Sequence, residues 1–394
     1  MSNRKIIMAS LLAACSLAAG AQGGIERALR EIESNSTALR SLKKTAEAGI
    51  AGNHTGLTLA APEIGFNYLF GSNSSMPHRQ DISVSQEFDF PTLGGARKRL
   101  AQGQDSLLLR TYDAERQAYL LAAQKSCINL VYCNALAAVY REQLAVMKEV
   151  QALWEESYAR GEAAVVELND ARLNVAELEL GQAENESERM ALSAELLQYN
   201  GGRPLVLDDT CYASRPLPPD LDAWRDRALA AWPELRAAEA EVEAKKRARK
   251  LAKQENLPAL SLGFMQETVP HDIYRGVTFG LAIPLWSNRG KRRQAEAEVA
   301  AAEARRKDVE TKLSASLEAA YRKALSLARS AERLAVAVKE CGNVELWKKA
   351  MEAGQLSRPD FLTNVARYFS LSQREIQLRR DAELAKAEVM AIYL

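Results

Sequence analysis

Residues Gly276–Arg293 read GVTFGLAIPLWSNRGKRR, and the two halves of this stretch ask for different surroundings. Val277, Phe279, Leu281, Ile283 and Leu285 alternate with Thr278, Gly280 and Ala282, the pattern of a strand with one apolar face. The alternation stops at Ser287-Asn288-Arg289-Gly290. Beyond it the chain is rich in Ala, Glu, Lys and Arg, a helical composition too polar for lipid.

The same sequence of patterns occurs elsewhere in the chain. Ile64, Phe66, Tyr68 and Phe70 alternate after Pro62, and Ile82, Val84, Phe88 and Phe90 alternate after the polar loop 71–80. Leu260, Leu262 and Phe264 alternate after Pro258, followed by the polar stretch 266–275 and then the strand quoted above. Pro62 recurs as Pro258 and Gly94 as Gly290 at one constant offset, so the chain reads as an internal duplication. Each strand pair enters a basic helix start, at Arg97-Lys98-Arg99 and at Lys291-Arg292-Arg293. These clusters suit a membrane–water junction and, equally, a solvated charge cluster.

No proline falls between Pro91 and Pro204 or between Pro284 and Pro359, which leaves room for very long helices. Tyr132, Val139, Val146 and Leu153 recur every seventh residue, with Leu136 and Val150 between them and Tyr140, Met147 and Trp154 alongside. That is coiled-coil spacing with a widened stripe. A helix over about 95–160 is on the order of 100 Å long. Gly161 and Gly354 mark the ends of the two long helices.

The expected organisation follows. Residues 1–21 are a signal peptide, and 22–200 a first repeat with a helix, strands at about 57–70 and 81–90, a long helix at about 95–160 and a return helix 162–198. Residues 201–221, with Pro204, Pro216, Pro218 and Pro219, form a connector. The second repeat, 222–394, has a helix, strands at about 258–266 and 276–286, a long helix at about 290–353 and a return helix 358–394.

Strands of roughly ten residues are long enough to cross a bilayer at a tilt. In hydrocarbon they must close into a barrel, because open edges leave N–H and C=O groups unsatisfied. Four strands are too few, and three copies supply twelve. The helices, charged on one side, belong in water, so the break at Ser287–Gly290 is where the chain leaves the membrane.

The remaining features narrow the class. The 52 basic and 51 acidic residues nearly cancel, which removes the electrostatic case for nucleic acid. Arg4 and Lys5 precede an apolar run to Ala19 and the small-x-small site Ala19-Gly20-Ala21, an export signal. A competing reading takes Leu12-Ala13-Ala14-Cys15 as a lipoprotein box with the lipid on Cys15. Cys127, Cys133, Cys211 and Cys341 form no CxxC and read as small buried hydrophobes. His54, His78 and His271 are the only histidines, and no HExxH or Walker loop occurs. No enzyme activity, cofactor or metal is therefore expected.

Pro258–Phe264, Gly276–Trp286, Gly290–Arg293, Trp232-Pro-Glu-Leu-Arg and Ala353-Gly-Gln-Leu-Ser-Arg-Pro-Asp-Phe-Leu together resemble the TolC-type outer membrane efflux proteins. The resemblance runs through both halves, in order. It implies a mainly α chain with a small membrane β part, assembled as a homotrimer. Its twelve-stranded β-barrel, four strands per chain, is continuous with a long periplasmic α-helical coiled-coil barrel. The location it implies is the outer membrane of a Gram-negative bacterium. The role is the passive exit duct of a tripartite efflux pump for small molecules or metal ions. Its partners would be a periplasmic adaptor and an inner-membrane transporter, of the resistance-nodulation-division type.

By the same resemblance, Asp360 is the acidic ring residue of a periplasmic gate, and Thr363 stands where a second acid is usual. Glu167 and Asp170 are the matching positions of the first repeat, and the competing role for such acids is to stabilise a helix start. Arg160, Gly161, Glu162, Gly354, Gln355 and Ser357 are the adaptor contacts it suggests. Phe66, Tyr68, Phe70, Phe88, Phe90, Phe264, Phe279 and Trp286 are the lipid-facing aromatics. Two other functions stay open at this point, a channel for protein secretion and a soluble periplasmic coiled-coil adaptor.

Overall fold

The structure, a computed structural model, describes residues 23–71, 78–88, 90–213, 216–283, 288 and 290–394. Cys15, Trp286 and the signal segment lie outside the described residues. In chain order the elements are α1 (Gly24–Asn35), α2 (Thr37–Asn53), β1 (Glu63–Leu69), β2 (Arg79–Phe88), α3 (Pro91–Ala159) and α4 (Val165–Tyr199). There follow α5 (Leu221–Ala231), α6 (Pro233–Gln254), β3 (Ala259–Val269), β4 (Asp272–Ala282), α7 (Lys291–Cys341), α8 (Val344–Glu352) and α9 (Arg358–Met390), then a 3-10 turn at Ala391–Tyr393.

The chain forms two units. One comprises Leu42–Glu115 and Leu229–Leu313 and contains the sheet; the other comprises the chain up to Ser41, Arg116–Ala228 and Ser314–Leu394 and contains the hairpin ends.

The sheet is four-stranded and antiparallel in the order β1-β2-β3-β4. Its second hairpin departs from the expected polar loop 266–275. β3 runs to Val269, β4 starts at Asp272, and only Pro270 and His271 turn between them. Gln266, Thr268 and Arg275 break the apolar alternation, yet Gln266 still pairs with Arg275 and Thr268 with Ile273 through the backbone. Ladder bonds do not depend on an apolar side chain. β2 ends at Phe88, so Phe90 lies beyond the strand, its carbonyl accepting from Leu93 N–H at 2.8 Å as α3 begins.

α3, whose residues belong to both units, is unbroken for 69 residues. The expected counterpart at 290–353 is instead two helices, α7 and α8, parted at Gly342-Asn343. Asn343 accepts from Leu346 N–H at 2.9 Å and so caps a new helix. A Cβ on Gly342 would sit 2.2 Å from the Tyr368 ring, so only glycine fits at the break.

The connector is tied down by buried amides. Asn134 donates to the carbonyls of Leu207, at 2.9 Å, and Asp209, at 3.2 Å. Fully buried Asn200 donates to Glu31 at 2.9 Å and accepts from Asn35 at 3.1 Å. Such groups cost little when paired and one to three kcal/mol when one partner is removed, roughly.

Candidate functional site

Two surfaces carry the expected functional residues, one in each unit. The first is the sheet. Ile64, Val84, Phe264 and Val277 pair in one row across all four strands, and each is more than two-fifths exposed. Phe66 and Ile82 continue this face on one side of the row, and Leu262, Phe279 and Leu281 on the other. Between Ile82 and Phe88 the apolar band is about 20 Å along the strand. Phe70 projects just past β1 and is 81% exposed, and Tyr68 packs against it at 4.7 Å between ring centres.

The opposite face alternates with the first and is mainly small or polar, with Leu69, Met265 and Tyr274 as its large exposed apolar members. Ser83, Ser85, Ser261 and Thr278 share it with Glu63, Glu87, Asn67 and Glu267. Gly263 on this face has the Thr278 hydroxyl so near that a Cβ would meet it at 2.6 Å. Toward the β1–β2 turn, Arg79 bridges Asp81 at 3.0 Å and Glu267 at 3.1 Å. The two faces of the sheet therefore differ in polarity, as alternation along each strand requires.

The second surface is the pair of hairpin turns. Both are built alike. Gly161 has φ +76° and donates to the Tyr158 carbonyl at 2.9 Å, while Glu162 donates to the Ser157 carbonyl at 2.9 Å. Gly354 has φ +73° and donates to Met351 at 3.0 Å, while Gln355 donates to Ala350 at 2.8 Å. Each is a glycine-closed Schellman turn that satisfies the last carbonyls of its helix. Arg160, Gly161, Glu162, Gly354, Gln355 and Ser357 are all exposed there.

The acidic positions fall at the starts of the return helices. Asp360 is the third residue of α9. Its N–H donates to the Ser357 hydroxyl at 3.2 Å, and that hydroxyl donates to its carboxylate at 2.5 Å. Glu167 is the third residue of α4 and accepts from Ala164 N–H at 3.0 Å. Both therefore stabilise helix starts. Asp170 is exposed one turn on, and the Thr363 hydroxyl donates back to the Pro359 carbonyl at 2.9 Å.

Behind the turns the two hairpins share one core of Met147, Val150, Trp154, Leu168, Phe361 and Val365, with neighbours. The seam differs from the expected one. Met147 and Trp154 are buried, whereas Leu153 is 42% exposed. Polar ties flank the core. Arg358 donates to Ser157 at 3.0 Å and lies 5.2 Å over the Trp154 ring, Lys348 bridges Glu149 at 2.6 Å, and Gln373 donates to Gln143 at 3.1 Å.

The cysteines divide. Cys127 and Cys133 are buried free thiols, and burial pushes their pKa values up to about 12 and about 11. Cys341, in contrast, is an exposed free thiol, and Cys211 is disulfide-bonded, so neither is the small buried hydrophobe that spacing suggested. His54 lies 2.7 Å from Asp105, while His78 and His271 are exposed. Among the described residues there is no group of three or more potential metal ligands, and no helix is long and apolar enough to cross a membrane.

Solved structures share this architecture. A membrane protein from Pseudomonas aeruginosa matches with a TM-score of 0.76 at 16% identity, over 94% of this chain and 93% of that one. CusC matches with a TM-score of 0.76 at 14% identity, over 93% and 91% of the two chains. The CmeC outer membrane channel of Campylobacter jejuni matches with a TM-score of 0.75 at 14% identity, over 94% and 85%. No described protein family matches the sequence, and no curated protein sequence does. The chain has the fold of the TolC-type outer-membrane channels.

Proposed function

We propose that this chain is one subunit of a passive exit duct in the outer membrane of a Gram-negative bacterium. Three copies pool their strands into one twelve-stranded barrel, and the helices of the two duplicated halves continue it as a tube in the periplasm. The hairpin turns meet a periplasmic adaptor, which joins the duct to an inner-membrane transporter of the resistance-nodulation-division type. The cargo is small molecules or metal ions, and the duct does no chemistry on it.

The observation that carries this reading is the sheet. β1 and β4 are each paired on one side only, and the face holding Ile64, Val84, Phe264 and Val277 is exposed. A sheet with two open edges and an apolar face is an aggregation hazard in water. In hydrocarbon each unpaired N–H or C=O costs several kcal/mol, roughly, unless the sheet closes with other copies. At the hairpin turns, threefold symmetry brings three Asp360 carboxylates together, with Glu167, Asp170 and Thr363 nearby. Each capping carboxylate keeps lone pairs to face a passing cation.

The test is the state of the full-length protein in its own envelope. Detergent extracts of outer membranes should yield a trimer that shifts to monomer only on heating. A monomer found in the soluble periplasmic fraction overturns the proposal.

A further inference from the structure

We propose that the helix ends beside the sheet form a basic rim that binds the headgroup phosphates of acidic phospholipids in the periplasmic leaflet. The inference rests on the duct reading and names the lipid that the duct holds around itself.

Phe88, Leu260 and Leu281 pair in the last apolar row at one end of the sheet. β2 leads from this row into α3, α6 leads into β3, and β4 leads into α7. The three helix ends stand together. Arg247 of α6 donates to the Arg99 carbonyl of α3 at 2.9 Å, and a Cβ on Gly103 would meet the Arg247 side chain at 2.8 Å. Lys291 of α7 bridges Glu255, just past α6, at 3.1 Å, and Lys245 bridges Glu298 at 3.0 Å. The bond from Arg292 to Glu296, with Lys253 and Arg249 near, holds that carboxyl below its ordinary range.

Charge collects here. Residues 94–105, 244–256 and 290–297 hold twelve lysines and arginines against three acids, Asp105, Glu255 and Glu296. That is a formal +9, while the whole chain is +1, so everything else sums to −8. The three acids are already engaged, Asp105 by Asn53 and His54, Glu255 by Lys291 and Glu296 by Arg292. Lys98, Arg99, Lys250, Lys253 and Arg293 are exposed and make no ion pair among the described residues. Helix stabilisation does not account for the cluster, because Lys291, Arg292 and Arg293 fill the first turn of α7, where the helix dipole disfavours cations. The opposite end of the sheet is balanced: Arg79 is bridged by Asp81 and Glu267, and Asp272 opens β4.

Depth selects the partner. At about 1.5 Å per residue, positions 97–99, 250–253 and 291–293 all lie within about 12 Å of a helix end. The headgroup layer on each side of a bilayer is about 5–7 Å thick. Lysine and arginine cover the difference, laying their stems along apolar surface while their heads reach the polar layer. A basic cluster of this size beside an apolar face matches an anionic lipid surface. Phosphatidylglycerol carries a phosphate with no amine of its own to cancel it, whereas the phosphate of phosphatidylcholine is already neutralised. Nucleic acid offers phosphates without the hydrocarbon that the neighbouring apolar row requires.

The experiment reconstitutes the full-length chain into vesicles of equal parts phosphatidylglycerol and phosphatidylcholine. The trimer is then extracted in mild neutral detergent and the lipid it keeps is measured. It should retain phosphatidylglycerol over phosphatidylcholine by roughly threefold or more, and high salt during extraction should remove the preference. Lys98→Gln, Arg99→Gln, Lys250→Gln, Lys253→Gln and Arg293→Gln together should abolish it. Arg305→Gln, Lys307→Gln and Lys312→Gln, farther along α7, should leave it unchanged. The two-lipid comparison on the unsubstituted trimer decides the matter whether or not the five-residue variant assembles. Inorganic phosphate should displace no more lipid than chloride at equal ionic strength. A trimer that keeps both lipids alike, or a five-residue variant that keeps the preference, overturns the rim and leaves the duct standing. Displacement specific to inorganic phosphate does the same, assigning these cations to free anions. An unsubstituted chain that is a soluble monomer overturns both.

Discussion

The two hairpin ends use one turn but reach it and leave it differently. Both close on a left-handed glycine, Gly161 or Gly354, with the same pair of backbone hydrogen bonds. Yet α3 reaches its turn unbroken, while α7 stops at Cys341 and a nine-residue α8 finishes the approach. The first return helix starts at Ala164 with no side-chain cap, and the second starts at Ser357 with one. The first hairpin is thus a plain rod, and the second has a separately capped end segment hung on a glycine joint.

The largest effect tests whether the ends share one core. Phe361 and Leu168 hold the same position, four residues after their caps, and are 1% and 4% exposed. Phe361→Ala should cost about 3–5 kcal/mol and Leu168→Ala about 2–5 kcal/mol. Hydrogen exchange should show both changes loosening both hairpins. Loosening confined to the mutated hairpin would mean that the shared core does not couple them.

The joint comes next. Gly342→Ala drives a methyl into the Tyr368 ring, which must move, at about 1–3 kcal/mol. Protease susceptibility should rise at residues 338–347 and stay unchanged on α3. Equal change on α3 would remove the distinction between rod and joint.

How much of this the amino acids disclosed depends on which rule acts. The strands were legible because side-chain alternation has a period of two and survives in any sheet. The turns were legible because Gly161 and Gly354 supply a backbone conformation that other residues resist. The tight β3–β4 turn was not, because Gln266 and Arg275 look like loop residues while their backbones still pair. The joint at Gly342-Asn343 left a signal, glycine followed by a good capping residue, but the surrounding apolar spacing masked it. Stripe choice was the hardest. Leu153 and Trp154 are adjacent, both apolar and both on heptad repeats, and only packing decides that Trp154 is the buried one. The helix-start reading of Asp360 was legible, but the bonds of Asp360 to Ser357 and of Glu167 to Ala164 depend on where each helix begins.

Capping gives a smaller and reciprocal effect. Ser357→Ala should destabilise the start of α9 by about 1 kcal/mol, and Ala164→Ser should stabilise the start of α4 by up to about the same amount. Thermal unfolding of the two variants should move in opposite directions. A gain from both would mean that Ser357 is held for contact with a partner and contributes nothing to its own helix.

The smallest effect concerns the tie between the hairpins. The Glu149 carboxylate accepts from Lys348 and raises the pKa of that ammonium above its ordinary value. The folded protein therefore holds this proton more tightly than the unfolded chain. The stabilisation is complete below the ordinary lysine range and fades as pH rises through the raised folded value. Both side chains are partly exposed, so the pair contributes less than about 1 kcal/mol. Glu149→Gln should lower stability slightly at neutral pH, and its deficit should shrink as the solution becomes strongly alkaline. Added salt should shrink it as well, since screening acts on exposed pairs. A deficit that persists at high pH would assign Glu149 to packing against Lys348 and remove charge from the account of how the jointed hairpin is held to the rod.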